Sequence, residues 1–157
     1  MKKYKKVHLL PIAEAAYLAG IIDGEGTITL TRKEAKGPRQ LAVTISSCEQ
    51  VLLKYALKTT GAGVVSTKRI YGPNHSPAFS YRILNRQALS LLEQIAPYLR
   101  TYKAKRSKLI LEKYLDVTPR NGKYNPVLLR QKEKFEKNFF AIVPQNTKDR
   151  QGGLRVN

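Results

Sequence analysis

Two acidic residues, Asp23 and Glu25, close an apolar stretch of the chain and are the side chains best placed to do chemistry. The stretch before them, from about Pro11, is rich in Ala, Leu and Ile and predicts a helix ended by glycines at 24 and 26. Acids are disfavoured there, because the helix dipole and the orphaned carbonyl groups are negative at a helix C-terminus. A divalent cation reverses that penalty, since carboxylate and carbonyl oxygens are ligands that suit Mg²⁺. The alternative is that both acids are merely exposed to solvent.

Small residues recur at every fourth position of the same predicted helix, at Ala16, Gly20 and Gly24, and therefore share one face. Such a stripe allows two helix backbones to approach closely. Each glycine inside a helix costs about 1 kcal/mol relative to alanine, so a compensating contact is expected. The stripe favours a helix pair at a dimer interface, and packing against the chain's own sheet is the alternative.

The charge of the chain is strongly unbalanced, because 29 Lys and Arg against 11 Asp and Glu give +18 over 157 residues. An excess of this size opposes compaction unless a polyanion neutralises it, and nucleic acid is the first candidate. We expect no membrane partner, because no apolar run approaches the length of a transmembrane helix and no lipidation motif is present. A single cysteine, Cys48, excludes a disulfide within the chain and predicts a reducing, intracellular compartment.

The order of predicted elements is α-β-β-α-β-β-α followed by two more helices, which predicts an α+β domain with four antiparallel strands. Alternating runs at 27–31 and 40–46 predict one hairpin, and 63–71 with 78–84 a second. Helices are predicted at about 11–23, 47–59, 85–96, 103–116 and 126–142, with Ser46 or Ser47, Asn85 and Asn125 as caps. We predict one domain at 1–143 and a flexible basic tail at 144–157.

Apolar residues occupy one parity of the predicted strands, and polar or basic residues occupy the other. A sheet face that carries Thr, Ser, Gln, Lys and Arg but no acids is suited to reading base edges in the DNA major groove. An ordinary solvated face is the alternative. The residues predicted to bind DNA are Thr29, Thr31, Lys33, Gln40, Thr44, Ser46, Ser66, Lys68, Ser80 and Arg82.

The nine residues Leu18-Ala19-Gly20-Ile21-Ile22-Asp23-Gly24-Glu25-Gly26 resemble the signature motif of the LAGLIDADG homing endonucleases. The predicted element order is similar to the family core over residues 13–116, and residues 97–103 resemble the family's segment before its late helix. The resemblance implies a saddle-shaped, four-stranded antiparallel sheet with further C-terminal helices. It also implies a homodimer on a long, pseudo-palindromic double-stranded DNA site, because this chain carries a single motif.

The resemblance assigns roles to the residues that match the motif. Glu25 would bind Mg²⁺ at the dimer axis, with the Gly24 carbonyl as a second oxygen ligand, and Mn²⁺ or Ca²⁺ would occupy the same sites. Asp23 would have a structural, capping role. Lys103 aligns with a basic catalytic residue near the scissile phosphate, and Lys105 is the alternative, because the chain carries one extra residue just before this helix.

The activity implied by the resemblance is magnesium-dependent, site-specific hydrolysis of both DNA strands, leaving short 3′ overhangs and serving intron homing. Some members position solvent with a Gln whose place falls at Ser47 or Glu49 here, so that role stays unassigned. An intron RNA maturase or a non-cleaving DNA-binding protein is the main alternative, and a transcription factor is a weaker one. The expected location is the cytoplasm of a bacterium or archaeon, or the matrix of a chloroplast or mitochondrion.

Overall fold

The structure, a computed structural model, describes residues 6–69 and 72–145. In these ranges the helices are α1 (Ile12–Glu25), α2 (Gln50–Thr60), α3 (Asn85–Ile95), α4 (Tyr102–Lys113) and α5 (Pro126–Ala141). The strands are β1 (Gly26–Arg32), β2 (Arg39–Ser47), β3 (Val64–Thr67) and β4 (Phe79–Leu84), and a 3₁₀ turn (Ala96–Tyr98) follows α3. The α+β class and the predicted order of elements are confirmed. The division into a domain and a flexible tail stays a prediction, because residues 146–157 lie outside the described ranges.

The four strands form one antiparallel sheet in the order β1-β2-β4-β3. Directly opposed residues point to the same face of such a sheet, and Ile28, Val43 and Ile83 form one row across it. The predicted apolar parity is therefore confirmed, and one face of the sheet belongs to the core. Its buried members are Ile28, Leu30, Leu41, Val43, Ile45, Tyr81 and Ile83.

Helix α1 buries one side and exposes the other. Ala15, Leu18, Ala19 and Ile22 are buried, and their spacing places them on a single helical face. Each Leu or Ile that is fully buried contributes roughly 1.5–3 kcal/mol, so this face holds the helix to the sheet. The opposite side of α1 carries the small-residue stripe and is left open to solvent.

Helix α1 extends two residues beyond its predicted end at Asp23, so that Glu25 is its last residue. Gly24 continues the helix, and Gly26 caps it by donating its backbone N–H to the Ile22 carbonyl. A Cβ atom at Gly26 would lie 2.7 Å from the Ile22 Cα atom, which explains the need for glycine there. The helix therefore carries Glu25 directly to the start of β1.

The predicted helix caps hold at one position of three. Asn125 caps α5, because its Oδ1 accepts the backbone N–H three residues further on, at 2.7 Å. The prediction is wrong for α2, where Glu49 precedes the helix and Ser47 Oγ accepts the Glu49 N–H at 3.0 Å. It is also wrong for Asn85, which is the first residue of α3, has φ 53° and bonds to Gln40 instead.

The side chain of Lys132, a residue of α5, is buried against the segment that follows α4. Its side chain is 1% exposed, its Nζ donates to Thr118 Oγ1 at 2.8 Å, and it lies 4.8 Å from the centre of the Tyr114 ring. Burial lowers the pKa of Lys132 from 10.5 to about 8, against the opposing influence of Glu136. The folded protein therefore releases this proton more readily than the unfolded chain does.

The free energy of unfolding should consequently increase as pH rises from about 8 to 10.5. In this interval the unfolded chain still holds the Lys132 proton, whereas the folded chain has lost it. We expect Lys132→Met to remove this contribution, as measured by urea denaturation of both proteins across the interval. Lys134→Met, at an exposed position of the same helix, is the control and should leave the pH dependence unchanged. An identical pH profile for Lys132→Met and the parent protein would contradict the prediction.

Within the described ranges, no helix is both long and apolar enough to cross a membrane.

Candidate active site and nucleic-acid interface

The Glu25 carboxylate is exposed at the C-terminal end of α1. Among the described residues it has no side-chain hydrogen bond and no ion-pair partner within 4.0 Å. It borders an open groove of about 790 Å³ that Ser46, Ser47, Glu49 and Tyr17 also line. The structure thus places Glu25 beside Ser47 and Glu49, the two residues at the position where the family resemblance leads us to look for a solvent-positioning Gln.

Lys103 is bound to the end of the same helix. Its Nζ donates to the carbonyl oxygens of Ile22 and Asp23, at 2.7 and 2.8 Å, and its side chain is only 6% exposed. Burial lowers the pKa of Lys103, while the carboxylates of Asp23 and Glu25 act to raise it. The ammonium group offsets the negative helix end, which is one reason why two acids are tolerated there. Its predicted catalytic role stays a prediction, and its structural role is visible.

Asp23 connects α1 to the start of α4. One carboxylate oxygen accepts the backbone N–H of Arg100 at 2.8 Å, and the other accepts the Thr101 hydroxyl at 2.6 Å. Thr101 in turn caps α4 by accepting the Lys103 backbone N–H. Asp23 therefore has the structural role predicted for it, but it stabilises the segment before α4 instead of the end of its own helix. Together with Lys103, it fixes the position of Glu25.

Lys103→Met should destabilise the fold by about 2 kcal/mol, because two buried helix-end carbonyls lose a charged donor. Thermal or urea denaturation measures the loss. Lys105→Met is the matched control, since Lys105 is exposed on the same helix, and it should leave stability unchanged. Cleavage assays on the two variants also compare the two candidate basic residues. Equal stability of Lys103→Met and the parent protein would show that the carbonyl contacts are dispensable.

A metal ion at Glu25 fits the chemistry of this helix end but needs ligands beyond the acidic side chain itself. The carboxylate is unpartnered among the described residues, and Gly24 beside it is exposed. No group of three or more His, Cys, Asp or Glu side chains in the described part of the chain could hold a metal. Further oxygens must therefore come from backbone carbonyls, a second copy of the chain, water or phosphate.

The polar parity of the strands forms a face opposite the core, interrupted by Ala42 and Leu84. Ser46 lies opposite Ser80, and Ser80 lies opposite Ser66, so all three share one row. Thr44 and Arg82 form the next row. The cross-strand pairing therefore places Ser66 on this face, as predicted from the sequence. Thr29, Thr31 and Gln40 belong to the same face through their partners in β1 and β2. DNA binding by these residues stays a prediction.

Two of the residues predicted to bind DNA lie outside the strands. β1 ends at Arg32 and β3 at Thr67, so Lys33 and Lys68 stand one residue beyond them. Both lysines are exposed. Lys33 lies past the last paired residues of β1 and β2, so parity does not decide its direction. The Lys68 backbone N–H still donates to the Ala78 carbonyl at 2.7 Å, so the pairing with the β4 side continues to this residue.

Arg106 is a structural residue that sequence patterns did not reveal. It is 8% exposed, and its guanidinium donates to the carbonyls of Ile28 at 3.0 Å and Ile142 at 2.9 Å. It also packs on the Phe139 and Tyr102 rings, at 4.7 and 5.0 Å. It ties α4 to β1 and to the end of α5, behind the candidate site. A cation in a helix rich in lysine gives no signal that it is buried.

The small-residue stripe of α1 does not serve the packing of this chain. Gly20 and Gly24 are exposed, and a Cβ atom added at either would meet nothing within 4 Å. Ala16 is partly exposed, and Tyr17 beside it is 54% exposed. Of the two alternatives, packing against the chain's own sheet is therefore excluded for Gly20 and Gly24. None of the described residues makes a close contact with these two glycines.

The architecture and the site together define the fold of the LAGLIDADG homing endonucleases. The structure is similar to that of the homing endonuclease I-CvuI in complex with its DNA target, at 22% identity and a TM-score of 0.68 over 87% of this chain and 85% of that one. It is also similar to the archaeal intron-encoded homing endonuclease I-Vdi141I complexed with DNA, at 13% identity and a TM-score of 0.55 over 88% and 89%.

The structure is also similar to that of the DNA-bound meganuclease I-SmaMI, of which it covers a smaller part. The identity is 16% and the TM-score 0.58, over 82% of this chain but only 44% of that chain. No family model matches this chain, and no curated protein is similar to it in sequence. The likeness therefore establishes the fold, and function has to be argued from the site.

Proposed function

We propose that this chain is a sequence-specific DNA endonuclease that works as a homodimer and cuts both strands of a long, pseudo-palindromic site, leaving short 3′ overhangs. The observation that carries the proposal is the exposed, unpartnered Glu25 carboxylate at the end of α1, held in place by Lys103 and Asp23. Structural neighbours with this fold are homing endonucleases bound to DNA, which supports DNA as the substrate.

The stripe on α1 and the likeness to part of a longer meganuclease support the proposed dimer. None of the described residues packs closely on Gly20 or Gly24, and pairing the stripe with itself satisfies two-fold symmetry. The chain covers less than half of I-SmaMI, so two copies supply about as much structure as that one protein. Pairing along the stripe brings the two Glu25 residues to a common axis, where each copy contributes one carboxylate.

A divalent metal is the expected cofactor, with Glu25 and the Gly24 carbonyl as its ligands from each copy. When bound, Mg²⁺ supplies positive charge for the attacking and leaving oxygens of an in-line displacement at phosphorus. Lys103 keeps the helix end in position through the Ile22 and Asp23 carbonyls. Complexes of I-CvuI with target DNA in the presence of Mg and of Ca support a divalent ion, and Mn²⁺ or Ca²⁺ would take the same ligands here.

The polar face of the sheet is proposed to lie against the DNA. Its Thr, Ser, Gln and Arg side chains are donors and acceptors suited to base edges, and the +18 charge supplies phosphate contacts. The exposed Lys33 and Lys68 would contact phosphates from the strand ends. Because phosphate contacts release counterions, binding should weaken steeply as salt rises.

The decisive experiment uses DNA that spans the gene's insertion site with the intervening segment removed. We expect the protein with Mg²⁺ to cut this duplex in both strands. It should not cut the gene that still carries the intervening segment, and it should not cut any DNA in excess EDTA. Such a result would support intron homing as the biological role. Uncut DNA that is nevertheless bound tightly would favour a DNA-binding protein that has lost cleavage.

An intron RNA maturase is the second candidate, and one observation favours it. Neither Ser47 nor Glu49, which share the groove with Glu25, supplies the amide that positions solvent in some relatives. Tight binding of the intron RNA without cleavage of the insertion-site DNA would decide for the maturase. For either function we propose an intracellular, reducing location in a bacterium, an archaeon or an organelle, in line with the exposed free thiol of Cys48.

A further inference from the structure

Gln40 stands on the polar face of the sheet, opposite Thr31, at the end of β2 nearest the β1–β2 turn. It is the sole glutamine among the residues predicted to bind DNA. A free glutamine reads adenine, because its amide oxygen accepts from N6 while its amide nitrogen donates to N7. In this structure the Gln40 amide is not free to do so, because a chain of three hydrogen bonds sets its orientation.

The chain of hydrogen bonds starts at a group that can only donate. The Leu41 backbone N–H donates to the Tyr114 hydroxyl oxygen at 3.0 Å. The Tyr114 hydroxyl donates to Asn85 Oδ1 at 3.2 Å, and Asn85 Nδ2 donates to Gln40 Oε1 at 2.9 Å. In this arrangement the Asn85 oxygen faces the Tyr114 hydroxyl, and the Gln40 oxygen faces the Asn85 NH₂ group.

Tyr114 and Asn85, in the middle of this series of hydrogen bonds, are held in place by the fold. Tyr114 is 1% exposed and comes from the core side of the sheet, and Asn85 has a positive φ at the junction of β4 and α3. Turning the Gln40 amide over would place its NH₂ group against the NH₂ group of Asn85, which removes one hydrogen bond and opposes two donors. Holding Oε1 against Asn85 turns Nε2 away from it, and no described residue accepts a hydrogen bond from Nε2.

We infer that Gln40 is a specificity-determining residue that presents only hydrogen-bond donors to the DNA, and that it selects guanine over adenine in each half-site. Guanine offers two neighbouring acceptors, N7 and O6, in the major groove, whereas adenine needs a partner that both accepts and donates. This inference rests on the proposed DNA-binding function and adds to it a base preference set by Asn85 and Tyr114, neither of which needs to touch the DNA.

The test is selection of bound duplexes from a randomised double-stranded DNA pool, in Ca²⁺, with the parent protein and its variants. Gln40→Ala identifies the position that Gln40 reads, as the one position in each half-site where the base preference is lost. The parent protein should prefer guanine there by about tenfold over adenine. A preference for adenine at that position in the parent protein would overturn the inference.

Asn85→Asp reverses the orientation of the Gln40 amide without changing the size of the side chain. The new carboxylate can still accept from Tyr114 but cannot donate to Gln40, so Gln40 must turn its NH₂ inward and its oxygen toward the DNA. We expect the preference at that position to change from guanine to a base that donates, adenine or cytosine. Asn85→Gly, which tolerates the positive φ, should relax the preference to include adenine.

Two controls separate a change in base preference from the effects of added charge and of misfolding. Asn125→Asp adds the same charge at an exposed cap position that Asp also satisfies, and it should leave the preference unchanged. Thermal denaturation shows that each variant folds, and side-chain amide exchange by NMR should show the Gln40 NH₂ protected only in Asn85→Asp. Sequence-selective binding with the same preference in Asn85→Asp overturns the inference alone. A pool from which no sequence is selected overturns the proposed function as well.

Discussion

Glu25→Gln is expected to abolish DNA cleavage and to leave the fold and DNA binding almost unchanged. Glu25 has no protein partner among the described residues, so the amide should change stability by no more than about 0.5 kcal/mol. Removal of the metal-binding charge withdraws several kcal/mol of transition-state stabilisation, so the cleavage rate should fall at least about a thousandfold. Binding of the insertion-site duplex should stay within a few-fold.

The comparison needs a variant that loses the same charge elsewhere. Glu93→Gln does so at an exposed position of α3, and it should cut at the rate of the parent protein. Cleavage is followed on labelled duplex in Mg²⁺, binding in Ca²⁺, and folding by thermal denaturation. Normal cutting by Glu25→Gln would exclude the assignment of this carboxylate as a metal ligand, whatever its effect on binding.

Gly20→Leu is expected to weaken the dimer without destabilising the single copy. A Cβ at Gly20 meets nothing within 4 Å in one copy, and replacing glycine in a helix contributes about 1 kcal/mol to the stability of that copy. In a dimer paired along the stripe, two leucines are forced into a close contact, and overpacking costs about 1–3 kcal/mol for each. The dimer dissociation constant should therefore rise by about a hundredfold or more, and cleavage should be lost with it.

Analytical ultracentrifugation across a concentration series measures the dimer, and denaturation at low concentration measures the single copy. Glu93→Leu places the same side chain on an exposed helix position away from the stripe and should remain dimeric and active. If Gly20→Leu still dimerises and cuts, the motif helix does not form the interface, and the exposed stripe needs another explanation.

Most of the fold was predictable, because strand and helix periodicities are local properties of the chain. The alternation that put Ile28 and Val43 inside and Thr29 and Thr44 outside was confirmed. Local signals were weaker at the ends of elements. Asn85 has the composition of a helix cap, but its left-handed backbone and its bonds to Gln40 and Tyr114 depend on residues distant in sequence.

One part of the candidate site was likewise predictable from local sequence, and another part was not. Glu25 was found from the charge rule at a helix end and from its motif, both of which are contained in nine consecutive residues. The function of Lys103 as a donor to the Ile22 carbonyl was not predictable, because the two residues are 81 positions apart. The same holds for Asp23, whose partners at 100 and 101 lie in another element.

Local sequence is enough to predict the elements, the parity of the strands and the acid at the end of α1. Composition is enough to predict the positive charge that favours a polyanion as partner. Each of these follows from the order of neighbouring residues and from composition. Three features depend on the packed fold: the lysine that holds the motif helix, the exposed face of that helix, and the direction of the Gln40 amide. Those features are hydrogen bonds and contacts between segments far apart in the chain, so they exist only once the sheet and helices have packed together.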